Sequence, residues 1–436
     1  MAGRWRGVIK VARDDPAAFL AVWLVTDVAA QFVLAVLPDA AVLGGPSLGL
    51  VIALAGWVIS LVLWIRTRGP GPATGLLRAF LVALLLLWAF VTVLGNVRGE
   101  SAGINSLMAP VLLLMLLAKP PTGTRAVRAA DAFAWALVVA ALVSLVLEVA
   151  HVIPSWYEVG VDWDALRLAD YRAPLQAIAL ESGEKANYWV PLASLLGLDG
   201  RWAGAFVHPN IAGPVGVFLL VFGVTRTRAR RVFFGGTGAL MLVLTSSRSS
   251  WGAALAGLGV AAAVWWLRRP SRLSAGWRAV IVALPAMGFV VVAVALNPGL
   301  TGRSEVWPVF ADLWRQAPFL GLGNQGISDA IAAGDLPMWA THAHNVPFDA
   351  LVRYGVLGFA LVVIVLGIAT ALGIAAARSG RGAAGIAIVT ALVVGGLADT
   401  TIQWGFWVNT TYALILAALI SASLPQRPAS GPTPVP

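Results

Sequence analysis

Residues 341–345 read THAHN, so two of the chain's four histidines sit one residue apart. A histidine titrates near neutrality and is suited to take a proton from a hydroxyl. Arg201, Arg248 and Arg303 stand elsewhere in the chain, each at the edge of an apolar run. A guanidinium is a planar, permanently charged fork that matches phosphate oxygens. Gathered in one cavity at a membrane edge, these residues suit a displacement with a diphosphate leaving group held by a lipid. The arginines would stabilise the departing anion while His344 deprotonates the incoming hydroxyl. Together these roles suit the transfer of a glycan from a polyprenyl diphosphate to an acceptor hydroxyl, one expectation among those weighed below.

Three stretches carry the candidates, and each has a plainer reading. In RWAGAFVHPN (201–210), His208 and Asn210 follow Arg201 by seven and nine residues. Pro209 and Pro214 predict a broken or kinked helix with exposed backbone groups. The plainer reading has Arg201 snorkelling to the interface and His208 capping the kink. In LTSSRSSWG (244–252), a short turn holds Arg248 among serines, or else anchors a lipid headgroup. In GRSEVW (302–307), Arg303 faces a ligand or pairs locally with Glu305. His344 is a base or a structural histidine. Asn345 is a good N-cap, Pro347 fits the first helical turn, and Asp349 suits the positive end of the helix dipole. Gly355 and Gly358 have the spacing that lets a neighbouring helix approach. His342 and His344 with Asp335 make a weak H-x-H metal set. We therefore expect no metal and no cofactor.

The elements that must position these residues are membrane helices. The chain has 436 residues, 59% hydrophobic and 11% charged, where soluble domains are about half apolar and about a quarter charged. Apolar segments fall at about 18–37, 47–65, 76–94, 104–118, 131–153, 203–224, 232–245, 250–267, 279–296, 347–377, 383–398 and 406–423. An all-α polytopic membrane protein with about 12 transmembrane helices is expected. Cysteine is absent, which excludes disulfides and thiolate sites. The net charge of +10 orients a membrane protein and does not call for nucleic acid.

With the N-terminus in the cytoplasm, 21 of the 30 basic residues fall in inner segments. Both termini are then inside. The nine left over are Arg98, Arg167, Arg172, Lys185, Arg201, Arg248, Arg303, Arg315 and Arg353. They lie on the outer side, where orientation does not require them. Two long outer loops, about 154–202 and 297–346, are expected to be ordered and functional because they are rich in aromatic residues. Residues 1–423 form a single transmembrane domain, and 424–436 are a disordered cytoplasmic tail. Asp27 and Glu148, inside spans, are read as helix–helix contacts.

The chain resembles the O-antigen ligase and polymerase superfamily of bacterial membrane proteins. The resemblance rests on RWAGAFVHPN, TSSRSSW, GRSEVW with the later GLGNQG, and THAHN followed by Gly355 and Gly358. The His-Asn opening before G-x-x-G is its most specific part. It implies action on the outer face of the cytoplasmic membrane, on glycans carried by undecaprenyl diphosphate, with inversion and without metal or nucleotide. It also implies that His344 is the base and that Arg201, Arg248 and Arg303 contact the diphosphate. His208, Asn210 and Asn345 would lie at the substrate. The partners are then the lipid-linked donor, a glycan, lipid or protein acceptor, and membrane lipids. Ligase and polymerase differ only in acceptor and stay open here. So do the sugar and the oligomeric state.

Two other classes compete. A flippase for lipid-linked oligosaccharides needs a cationic path open to both sides, whereas these cations cluster on one. A shape- or division-type peptidoglycan glycosyltransferase needs an acidic catalytic residue in an outer loop. Asp162, Asp164, Glu181 and Glu184 are the available ones.

Overall fold

The computed structural model of the protein describes residues 15, 17–36, 48–67, 71–98, 104–152, 191–196, 198, 202–206, 209–267, 303–337, 340, 342–379, 383–399 and 409–422. Among these residues every regular element is a helix. The long runs are α1 (Ala17–Val36), α2 (Leu48–Arg66), α3 (Gly75–Val97), α4 (Ile104–Ala118), α5 (Thr124–Val149) and α6 (Pro209–Val224). They continue with α7 (Gly236–Thr245), α8 (Arg248–Leu267), α9 (Arg303–Gln316), α10 (Gly323–Ala332), α11 (Val346–Arg378), α12 (Ala384–Ala398) and α13 (Asn409–Ser421). Eleven of the twelve expected apolar segments are helical, and the ninth, at about 279–296, lies outside the described residues.

Five of the described helices, α2, α3, α5, α8 and α11, are long and apolar enough to cross a membrane. Shorter apolar helices stand at Ala17–Val33, Met108–Ala118, Asn210–Val224, Ala384–Leu397 and Asn409–Ser421. Together they make the chain an integral membrane protein. Val58, Ile65, Val93 and Val146 point outward, each about three-fifths exposed. Water would penalise such a surface, whereas lipid does not. At the centre stands α13, buried from Asn409 to Leu419 and packed against α5, α6, α11 and α12. A helix that is apolar all round belongs in the interior.

Close backbone approach holds α6 to α7. A Cβ on Gly238 would lie 2.5 Å from the Gly216 carbonyl oxygen, and one on Gly223 2.6 Å from the Gly235 nitrogen. Only hydrogen fits there, as is common where membrane helices associate. At the ends expected to be cytoplasmic, Arg226 chelates Asp131 at 2.9 and 2.7 Å and Arg128 meets Asp15 at 2.9 Å.

Three details differ from the sequence expectation. Pro214 does not break its span: α6 runs through it, and the helix begins at Pro209, whose missing N–H costs nothing in a first turn. The stretch expected as an outer loop at about 297–346 contains α9 and α10. They share a small core of Val306, Phe310, Leu313 and Ile327 that closes on Val352 of α11. Gly355 does more than admit a neighbour. Its φ of 66° and ψ of −168° interrupt α11, and a Cβ there would lie 2.2 Å from the backbone of Phe319. Gly358 keeps the expected close packing, facing Phe90 of α3.

Candidate functional site

The site is built at the N-terminus of α11. Asn345 adopts extended backbone and its Oδ1 accepts from the Phe348 amide at 2.9 Å, the expected N-cap. Its Nδ2 donates to the Leu397 carbonyl at 2.8 Å. One side chain thus starts α11 and ties it to the end of α12. Asp349 accepts the Ala343 amide at 3.0 Å, folding the histidine segment back over the helix start. From α9, Trp307 donates its Nε1 to the Ala343 carbonyl at 2.8 Å. Both main-chain polar groups of the residue between the histidines are therefore held.

This clamping forces His344 into a left-handed backbone, φ 51°. A side chain disfavours that region by about 1–2 kcal/mol, so the conformation persists only because its surroundings demand it. What it achieves is an aim. His344 Nδ1 lies 3.3 Å from Asp399 Oδ1, and the His342 Nε2 lies 4.0 Å from the same oxygen. The two imidazole rings are 4.1 Å apart between centroids. Asp399 ends α12 and is 3% exposed. Its other oxygen, Oδ2, accepts from Ser249 Oγ at 3.4 Å.

Asp399 is the residue that sequence reasoning missed. The expected acidic neighbour was Asp335, but that residue is exposed beyond α10 and does not join the cluster. The signal for Asp399 was an acidic residue closing the apolar run GGLADT at the end expected to be outer. Nothing local links it to a histidine 55 positions away.

The turn from α7 to α8 brings the next candidates. Ser247, Ser249 and Ser250 form a hydrogen-bonded group, with contacts of 3.1 and 2.9 Å. Arg248 sits exposed among them as the first residue of α8. Its neighbour Ser249 is the one touching Asp399. Ser246, before it, also has a positive φ of 47°.

Asn210 belongs to the first turn of α6. One turn on, a Cβ at Gly213 would lie 2.3 Å from Ser250 Oγ and 3.0 Å from Ser247. The start of α6 therefore leans on the serine turn. Arg201 and His208 lie outside the described residues. The next residue after Arg201, Trp202, donates its amide to the Leu244 carbonyl at 3.0 Å, at the foot of that turn. Arg303 opens α9 one turn before Trp307, and its side chain lies outside the described set. The acidic residues Asp162, Asp164, Glu181 and Glu184 also lie outside it.

Two of the arginines expected on the outer side go elsewhere. Arg353 donates Nε to Asp349 at 2.9 Å and Nη1 to the Asn324 side-chain Oδ1. Arg98 reaches the carbonyls of Arg353 and Leu320 at 3.1 and 2.9 Å, and also that of Gly321. Arg98 thus caps main-chain acceptors and Arg353 ties side chains together where α9, α10 and the interrupted α11 meet. Arg315 forms an exposed pair with Asp312.

A helical membrane protein with a histidine–carboxylate pair at the converging ends of α6, α8, α11 and α12 is the class that fold and site define. Residues 232–363 match the family model described as O-Antigen ligase. The resemblance to the O-antigen ligase and polymerase superfamily is borne out over that segment, which includes Arg248, Arg303, His344 and Asn345. No curated protein matches the chain.

Proposed function

We propose that the chain is a membrane glycosyltransferase. It moves a glycan from undecaprenyl diphosphate to an acceptor hydroxyl at the outer face of the cytoplasmic membrane, with about twelve spans and both termini inside. One observation carries this reading: His344 Nδ1 faces the Asp399 carboxylate at 3.3 Å, and Ser249, next in sequence to the exposed Arg248, meets the same carboxylate. A carboxylate accepts from Nδ1–H, which leaves Nε2 as the proton acceptor. The same division of labour serves a hydroxyl nucleophile in hydrolases.

The acceptor hydroxyl gives its proton to His344 Nε2 as its oxygen attacks the anomeric carbon. The bond from that carbon to the diphosphate oxygen breaks, and the electron pair leaves with the diphosphate. A single displacement inverts the centre. Arg248, Arg303 and Arg201 would balance the growing anion, with Asn210 and His208 at the substrate. No metal is needed for any of these roles. Asn345 serves the reaction by holding the start of α11 against α12. The match over residues 232–363 supports the donor chemistry and leaves the acceptor open between a ligase and a polymerase.

The test is made in a strain lacking the protein, rescued with wild type or His344→Ala, by measuring the lengths of polyprenyl-diphosphate glycans. Single repeat units accumulating in both the empty strain and the mutant indicate a polymerase. Long glycans left on the carrier indicate a ligase. Full rescue by His344→Ala overturns the catalytic role of His344 and favours a flippase.

A further inference from the structure

His342 has no part in the reaction just described, yet its Nε2 converges on the same carboxylate oxygen as His344 Nδ1. At 4.0 Å the His342–Asp399 separation is too long for a hydrogen bond. It is a suitable span for an ion between the two atoms. Zinc binds imidazole nitrogen and carboxylate oxygen at about 2.0–2.2 Å, so neighbouring donors around a tetrahedral ion stand roughly 3.3–3.5 Å apart. The His344–Asp399 pair is already there at 3.3 Å. One donor atom from each of His342, His344 and Asp399 lies within 4.8 Å of the others. A shift of the His342 ring towards its two partners would complete three ligands, leaving the fourth position to water, as in open zinc sites. The Ser249 contact on Oδ2 is the kind of outer partner that orients a ligating carboxylate.

We infer that His342, His344 and Asp399 form a binding site for a zinc-class divalent ion, and that the ion switches the transferase off. The second half rests on the function proposed above. A neutral imidazole carries one proton. When the ion takes Nδ1 of His344, that proton has only Nε2 to occupy, and Nε2 can no longer accept one from the acceptor hydroxyl. The ion also takes the carboxylate that holds the reactive tautomer. The H-x-H spacing thus adds to a general base a second ring that recruits an inhibitor.

The experiment uses the full chain, free of any histidine tag, in lipid nanodiscs. Cobalt(II) is titrated as a spectroscopic stand-in and then displaced with zinc. We expect one four-coordinate cobalt per chain, displaced stoichiometrically. Affinity should fall by more than about tenfold in His342→Ala and in Asp399→Asn, since even outer partners of zinc ligands are worth about ten- to a hundredfold. Asp335→Asn should leave the titration unchanged. Glycan transfer by the wild type should be blocked by zinc and restored by chelator. His342→Ala, judged against its own zinc-free rate, should need over tenfold more zinc for the same block. His342→Gln repeats the test if the alanine variant folds poorly. Cobalt binding that ignores both His342 and Asp399 would overturn the site. Binding at the site with no loss of transfer would overturn the switch. A wild type that transfers no glycan sinks the proposed function and the switch together, while the cobalt titration still decides the metal site.

Discussion

Two polar constellations sit at the same end of the helices and use their groups in opposite ways. Around the interruption of α11, Arg98 and Arg353 spend their guanidinium groups on carbonyls, on Asp349 and on Asn324. Around Asp399, the two histidines and Ser249 converge on a single carboxylate while Arg248, next to Ser249 in sequence, is exposed. Composition alone does not separate them, because both mix arginine, a carboxylate and an amide. The accounting of donors does. An arginine whose N–H groups end on main-chain carbonyls is holding a fold. A histidine held in left-handed backbone against a carboxylate is being aimed.

The comparison predicts different kinds of failure. The largest effect is expected from His344→Ala, which should cut glycan transfer in reconstituted vesicles by about 10²–10⁴-fold, the usual contribution of a general base. Folded protein should be recovered in normal amounts. Asp399→Asn should cost less, about 10²-fold, and fall on kcat rather than KM, because the amide no longer fixes the His344 tautomer while substrate contacts remain. Normal kcat in that variant would remove Asp399 from the mechanism.

The other constellation should fail by unfolding. Gly355→Ala places a side chain in backbone that costs about 1–3 kcal/mol even where space is free. Here it also meets Phe319. Thermal unfolding in detergent should begin several degrees lower, and transfer per folded molecule should stay close to wild type. A Gly355→Ala protein that is stable but inactive would reverse the assignment of the two regions. At the small end, Ser249→Ala should slow transfer only about threefold, because it removes one weak partner of Asp399 worth about 0.5–1 kcal/mol. Arg315→Ala should change neither stability nor transfer measurably, since exposed ion pairs are worth little.

Local patterns in the chain announced much of this. The apolar segments marked eleven helices that the structure describes. The N-cap at Asn345, the proline behind it and the acidic residue at the helix start were legible because capping depends on residues within one turn. The serine turn around Arg248 was legible for the same reason. What stayed hidden was long-range. Asp399 meets His344 only after α11 and α12 pack antiparallel and bring their ends together. Arg98 and Arg353 looked like candidates because charge bias assigned them a side of the membrane, while their partners were not legible. Pro209 marked the helix start, whereas Pro214 sits inside α6, because proline's penalty in a helix depends on what the neighbours do with the freed carbonyl.

The contact between His344 and Asp399 crosses the boundary of the matched segment, which closes at residue 363. Inheritance and engineering must respect that crossing. A chimera that exchanged residues 232–363 between two relatives would graft one lineage's histidine onto another's carboxylate, and its Asn345 onto another's Leu397 carbonyl. The smallest piece that can be swapped with its chemistry intact therefore runs on past α12, so the portable unit is longer than the recognisable one.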